Sequence, residues 1–195
     1  MSALVPGSAS DYPQRLAKAL AEADWSPADT LAAALHANWK AGGQVFLCGN
    51  GGSAANALHI ANDLLYGVSM GQAPGLRVHA LPANVAALTC LANDCGYDEV
   101  FARQLRTYAR PGDLVLVLSG SGNSPNILKA LSEAKALGLR TAAVLGYSGG
   151  KAKDLAEIVI HFAVDDMQIS EDLQLVVGHY CMQALLARFQ ADPGS

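Results

Sequence analysis

The chain has 195 residues, of which 51% are apolar and only 15% are charged, with 13 Lys and Arg against 17 Asp and Glu for a net charge of −4. So apolar a composition excludes an intrinsically disordered chain. A net-acidic chain without a basic surface lacks what phosphate backbones require, which excludes a general nucleic-acid binder.

Roughly 100–200 residues make one domain, so a single domain is expected over residues 1–195, with an N-terminal helical segment over about 10–42. From Tyr12 to Lys40, Leu16, Leu20, Leu31, Leu35 and Trp39 recur at helical spacing. Ser26-Pro27 starts a second helix there, with Ser26 as cap and Pro27 in its first turn, and Gly42-Gly43 closes it. Gln44–Cys48 is a short apolar strand, followed at once by Gly49-Asn50-Gly51-Gly52-Ser53 and a helix over about 53–65. Val78–Leu81 reads as a second strand. Leu114–Leu118 is uniformly apolar, as a strand covered on both faces should be. Ser119-Gly120-Ser121-Gly122-Asn123-Ser124 follows it, then a helix to about Leu137 that Gly138 ends. Thr141–Leu145 and Ile158–Phe162 read as further strands, and the last helix runs over about 169–190. Strands alternating with helices predict an α/β fold, a parallel sheet with helices on both faces.

No apolar run reaches the ~18 residues that span a bilayer. The N-terminus shows no basic segment leading into an apolar one, as a secretory signal would. Cysteines at 48, 90, 95 and 181 form no C-x-x-C pair, so reduced thiols are expected in place of a disulfide framework. These features predict a cytoplasmic protein without a membrane partner. A charged fraction well below the usual ~25% points to surface covered by neighbouring subunits.

Both Gly/Ser loops sit between a strand and a helix, where open parallel sheets bind ligands. Glycines let the backbone approach an anion, the next helix offers free N–H groups, and Ser53, Ser119, Ser121 and Ser124 add hydroxyl donors. The pair of loops predicts phosphate-ester binding. Neither loop is a G-x-x-x-x-G-K-[ST] or a G-x-G-x-x-G motif, and either loop alone is also ordinary turn chemistry.

His59 and Asp63 lie four apart on one predicted helix, and Glu171 and His179 lie eight apart on another, each pair close to one face. Two imidazoles and two carboxylates make an N/O donor set that suits Zn²⁺. A helical His is more often a hydrogen-bonded core or interface residue, and acid–His pairs four apart are common on helix surfaces. His36, His79 and His161 read as structural.

Cys48-Gly49-Asn50-Gly51-Gly52-Ser53 with His59, Ala92-Asn93-Asp94, and Ser119–Ser124 together resemble the phosphoheptose isomerase family of the sugar isomerase (SIS) domain group. The similarity runs from about Ala41 to His179. It implies a three-layer, flavodoxin-like parallel sheet between helices, a homotetramer with active sites between subunits, and conversion of sedoheptulose 7-phosphate to D-glycero-D-manno-heptose 7-phosphate. It places Asn50, Gly51, Gly52, Asn93 and Asp94 on substrate-binding positions, and Ser119, Gly120, Ser121 and Ser124 on the phosphate loop. His59 and His179 fall on zinc ligands, and His179 also on the acid for ring opening. Asp63 falls on a catalytic base and metal ligand that is usually Glu, and Glu171 on a substrate and metal ligand that is usually Gln. Asn62-Asp63 replaces the usual Glu pair, Tyr66-Gly67-Val68 stands where an Arg is usual, and Gly120 stands where Thr is usual. The alternatives are an isomerase for another sugar phosphate, a non-catalytic tetrameric SIS-domain partner of a replication initiator, and a sugar-phosphate-sensing regulator.

Overall fold

The computed structural model describes residues 9–191; the ends of the expected domain, 1–8 and 192–195, lie outside it. In chain order the elements are α1 (Tyr12–Glu22), α2 (Ser26–Lys40), β1 (Gln44–Cys48), α3 (Gly52–Asn62), β2 (Arg77–Ala80), α4 (Val85–Cys95), α5 (Ala102–Tyr108), β3 (Leu114–Ser119), α6 (Pro125–Ala136), β4 (Arg140–Leu145), α7 (Ala152–Leu155), β5 (Ile158–His161) and α8 (Met167–Ala191). The five strands are parallel and ordered β2-β1-β3-β4-β5. That is the flavodoxin-like order, whose switch point lies between β1 and β3.

Alternate residues of β1, β3, β4 and β5 feed two separate cores. Leu114, Leu116 and Leu118 of β3 pack with Leu31 and Leu35 of α2, Ile60 of α3 and Leu173 and Val177 of α8. Val115 and Val117 face the other way, onto Leu105 of α5 and Ile127 and Leu131 of α6. Every residue of β3 is therefore buried, which explains its unbroken apolar run.

Helix α3 stops at Asn62, short of the expected Leu65, and Asp63–Gly67 continues it as a single π turn. Such turns reposition side chains relative to a regular helix, and Asp63 opens this one. Helices α4 and α5 are not marked by the sequence pattern. No residue of α4 is fully buried within one chain; Leu88, Leu91 and Ala92 pack partly against the second core, and its start is set by the Asn84 side chain accepting the Ala87 N–H at 3.1 Å.

Asp113 ties the sheet's lower edge. Its carboxylate is buried and accepts the Gln44 N–H and the Arg110 N–H, both at 2.8 Å, while its own carbonyl accepts the Arg140 N–H at 2.9 Å. Asp113→Ala removes the acceptor of two part-buried backbone donors and should cost about 1–3 kcal/mol. Urea unfolding checks this.

Candidate active site

Strands β1 and β3 are neighbours, so the loops that follow them open side by side at the switch point. After β1 the chain turns through Gly51 at φ +56°, a left-handed conformation that favours glycine. Gly52 then starts α3 against the Glu171 carboxylate: a Cβ at 52 would lie 2.4 Å from its oxygens. After β3, the Ser119 hydroxyl accepts the Gly122 N–H at 3.0 Å and that of Ser121 accepts the Asn123 N–H at 3.3 Å. Both hydroxyls keep a hydrogen to donate. Ser124 precedes α6, with Pro125 in its first turn.

Together these segments enclose a cleft of about 280 Å³, lined by Asn50, Gly51, Gly52, Ser53, Ser119, Gly120, Ser121, Ser124, Met167 and Glu171. The two loops are also bonded to each other. Asn50 and Asn126 exchange reciprocal amide hydrogen bonds of 2.9 and 2.8 Å, and Tyr97 Oη donates to Asn50 Oδ1 at 2.9 Å. Asn126 and Tyr97 carry no motif and are invisible to sequence reasoning. Asn93 and Asp94 stay outside the cleft: both are exposed on the last turn of α4, where Asn93 Nδ2 donates to Asp94 Oδ1 at 2.8 Å.

Helices α3 and α8 run side by side away from this cleft. Gly178 lets them approach, since a Cβ there would sit 2.5 Å from Ile60 Cγ1. That contact brings three predicted residues together. His59 Nε2 and His179 Nε2 are 2.9 Å apart, and Asp63 Oδ2 lies 3.4 Å from the first and 3.5 Å from the second. The imidazoles are half exposed and the carboxylate more covered. One ligand atom from each of the three lies within 4.8 Å of the others. Two imidazole nitrogens pointed at each other share one hydrogen at most in the neutral state. A cation accepted by both, with Asp63 as counter-charge, fits this donor set, and three protein ligands leave a coordination position open.

Glu171 is not part of this triad. It precedes His179 by eight residues, about 12 Å along a helix that rises 1.5 Å per residue, so sharing a face does not mean sharing an ion. Its carboxylate stands in the cleft at the N-terminus of α3. Burial pushes the Glu171 carboxyl above its ordinary pKa, the adjacent Asp172 charge adds to this, and a hydrogen bond from the Ser53 N–H opposes both.

The SIS domain family model matches residues 10–146, and the chain belongs to that family. Within the family, the similarity is to phosphoheptose isomerases. The phosphoheptose isomerase of Chlorobaculum parvum is 44% identical over 177 residues, 88% of this chain and 83% of that protein. That of Mycobacterium tuberculosis is 43% identical over 145 residues, 74% of each. The solved phosphoheptose isomerase structure from Francisella tularensis superimposes with a TM-score of 0.86 at 28% identity, covering 91% of this chain and 96% of that one.

An anion in the cleft meets one fixed negative charge, that of Glu171. Glu171→Gln keeps the shape and removes the charge, so inorganic phosphate should bind several-fold more tightly near neutral pH, as read by isothermal titration calorimetry.

Proposed function

We propose that the protein is an aldose–ketose isomerase that interconverts sedoheptulose 7-phosphate and D-glycero-D-manno-heptose 7-phosphate. The observation that carries this reading is that one pair of helices, α3 and α8, supports both a Gly/Ser-lined anion cleft and a His/Asp triad. The extended similarity to phosphoheptose isomerases supports the same substrate.

The cleft holds the phosphate through Ser119, Ser121, Ser124 and the N–H groups beside Gly120. Asn50, Gly51, Gly52 and Glu171 take the sugar, and the Ser53 hydroxyl joins the phosphate donors; Asn93 and Asp94, exposed outside this cleft, take no part in it within one chain. Binding energy from the phosphate fixes the reacting carbons, which do not have to be gripped themselves. Asp63 takes a proton from C1 of the ketose, leaving an enediolate, and the proton returns at C2 to give the aldose. His179 donates to the ring oxygen as the sugar opens, and then moves a proton between the oxygens on C1 and C2. His59, Asp63 and His179 also have the donor types to hold Zn²⁺, which when bound would polarise the carbonyl and stabilise negative charge on the substrate oxygens.

A homotetramer with active sites between subunits accounts for two further features. Leu58, Leu65, Tyr66 and Met70, on and just after α3, are exposed around the triad, and α4 fully buries none of its residues within one chain. Such a patch marks an interaction surface. The free thiols of Cys48, Cys90, Cys95 and Cys181 support a cytoplasmic setting.

Asp63→Asn should lower turnover of sedoheptulose 7-phosphate by about 100-fold or more, in the range of a lost general base. It should also weaken zinc binding and leave sugar-phosphate binding measurable by calorimetry. Light scattering of the native protein should give the mass of four 20.2 kDa chains.

A further inference from the structure

Gln174 is fully buried between α3 and α8, at 1% exposure, in a line of three polar contacts. Asn56 Nδ2 donates to the main-chain carbonyl of Glu171 at 2.9 Å and to Gln174 Oε1 at 3.0 Å. Gln174 Nε2 donates in turn to Ser53 Oγ at 3.0 Å. The direction of this relay is set at one end. A carbonyl only accepts, so the Asn56 group facing Glu171 must be its amide nitrogen. The Gln174 atom facing that nitrogen must then be oxygen, which turns the Gln174 nitrogen toward Ser53. The Ser53 hydroxyl is left to accept from Gln174 and must direct its own hydrogen elsewhere. Among the described residues that hydrogen meets no protein acceptor, and Ser53 lines the cleft.

We propose that Gln174 is a positioning residue that fixes the Ser53 hydroxyl as a hydrogen-bond donor into the anion cleft. The inference rests on the sugar-phosphate reading of that cleft and adds to it the residue that polarises one of its donors. Gln174 touches no substrate. It acts through Ser53, and in the same position it holds α3 and α8 in register one turn before Gly178. A serine in the first turn of a helix otherwise rotates freely or bonds back to its own backbone. Held by a buried amide, it meets an incoming oxyanion without first having to be ordered.

The test is a double-mutant cycle on the binding of inorganic phosphate by the full-length protein, with Ser53→Ala, Gln174→Met and the double variant. Gln174→Met keeps the volume and removes both hydrogen bonds. Ser53→Ala should weaken phosphate about ten-fold, the usual size for a hydrogen bond to a charged group. Gln174→Met should weaken it several-fold, and the double variant should be no weaker than Ser53→Ala alone. In sugar-phosphate turnover the loss in Gln174→Met should fall on KM, with kcat little changed. Gln174→Glu, which presents an acceptor to Ser53, should weaken phosphate further in the Ser53 background than in Ser53→Ala. Losses that multiply in the double variant would overturn the proposal, as would unchanged phosphate affinity in a folded Gln174→Met. A wild-type protein that binds neither phosphate nor sugar phosphate would instead overturn the reading of the cleft itself.

Discussion

The close parallel packing of α3 on α8 is the constraint from which the candidate site follows. Gly178 removes the side chain that would hold the helices apart, and Ile60 fills the space it leaves. One residue beyond that contact, His179 meets His59 and Asp63. Four residues before it, Gln174 meets Ser53 and Asn56. A shift of either helix by one residue, about 1.5 Å, separates the triad and breaks the buried relay together. Anion cleft and triad are thus two ends of one rigid assembly, held to the sheet by Leu31, Leu35, Ile60 and Val177.

Under the proposed function, the cleft would let a net-acidic chain bind a dianion without a cluster of lysines. Its donors are hydroxyls and backbone N–H groups at the starts of two helices, which carry partial positive charge in fixed directions. Their positions are set before the ligand arrives. Asn50 is held by Asn126 and Tyr97, Ser119 by Gly122, and Ser53 by Gln174. Glu171 is the exception, a carboxylate kept among anion-binding groups, and burial and Asp172 both disfavour its charge.

Much of the architecture is legible in the sequence because strand and helix leave different periods. β1, β3 and β4 announce themselves as apolar runs, and the Gly/Ser loops after β1 and β3 mark two strand ends suited to a ligand, while the strand order that sets them side by side is not in the local pattern. His59 and Asp63 share a face by their four-residue spacing. The pairing of His179 with them depends on how two helices pack and is not contained in any local pattern. For the same reason eight-residue spacing on α8 suggests that Glu171 shares an ion with His179, although helical rise puts them two turns apart. α4 leaves a weaker mark because it is only half-buried within one chain, through Leu88, Leu91 and Ala92. Asn126, Tyr97 and Gln174 escape because a single buried amide or hydroxyl has no signature until its partner is in place.

The account comes down to whether this cleft and this triad move a proton between adjacent carbons of a phosphorylated heptulose. Proton NMR of sedoheptulose 7-phosphate incubated with the metal-replete protein in D₂O reads that step directly. Appearance of the aldose phosphate carrying solvent deuterium at C2 is the result the account predicts. Sugar phosphate that binds, yet shows neither aldose nor exchange of its C1 hydrogens, would contradict it.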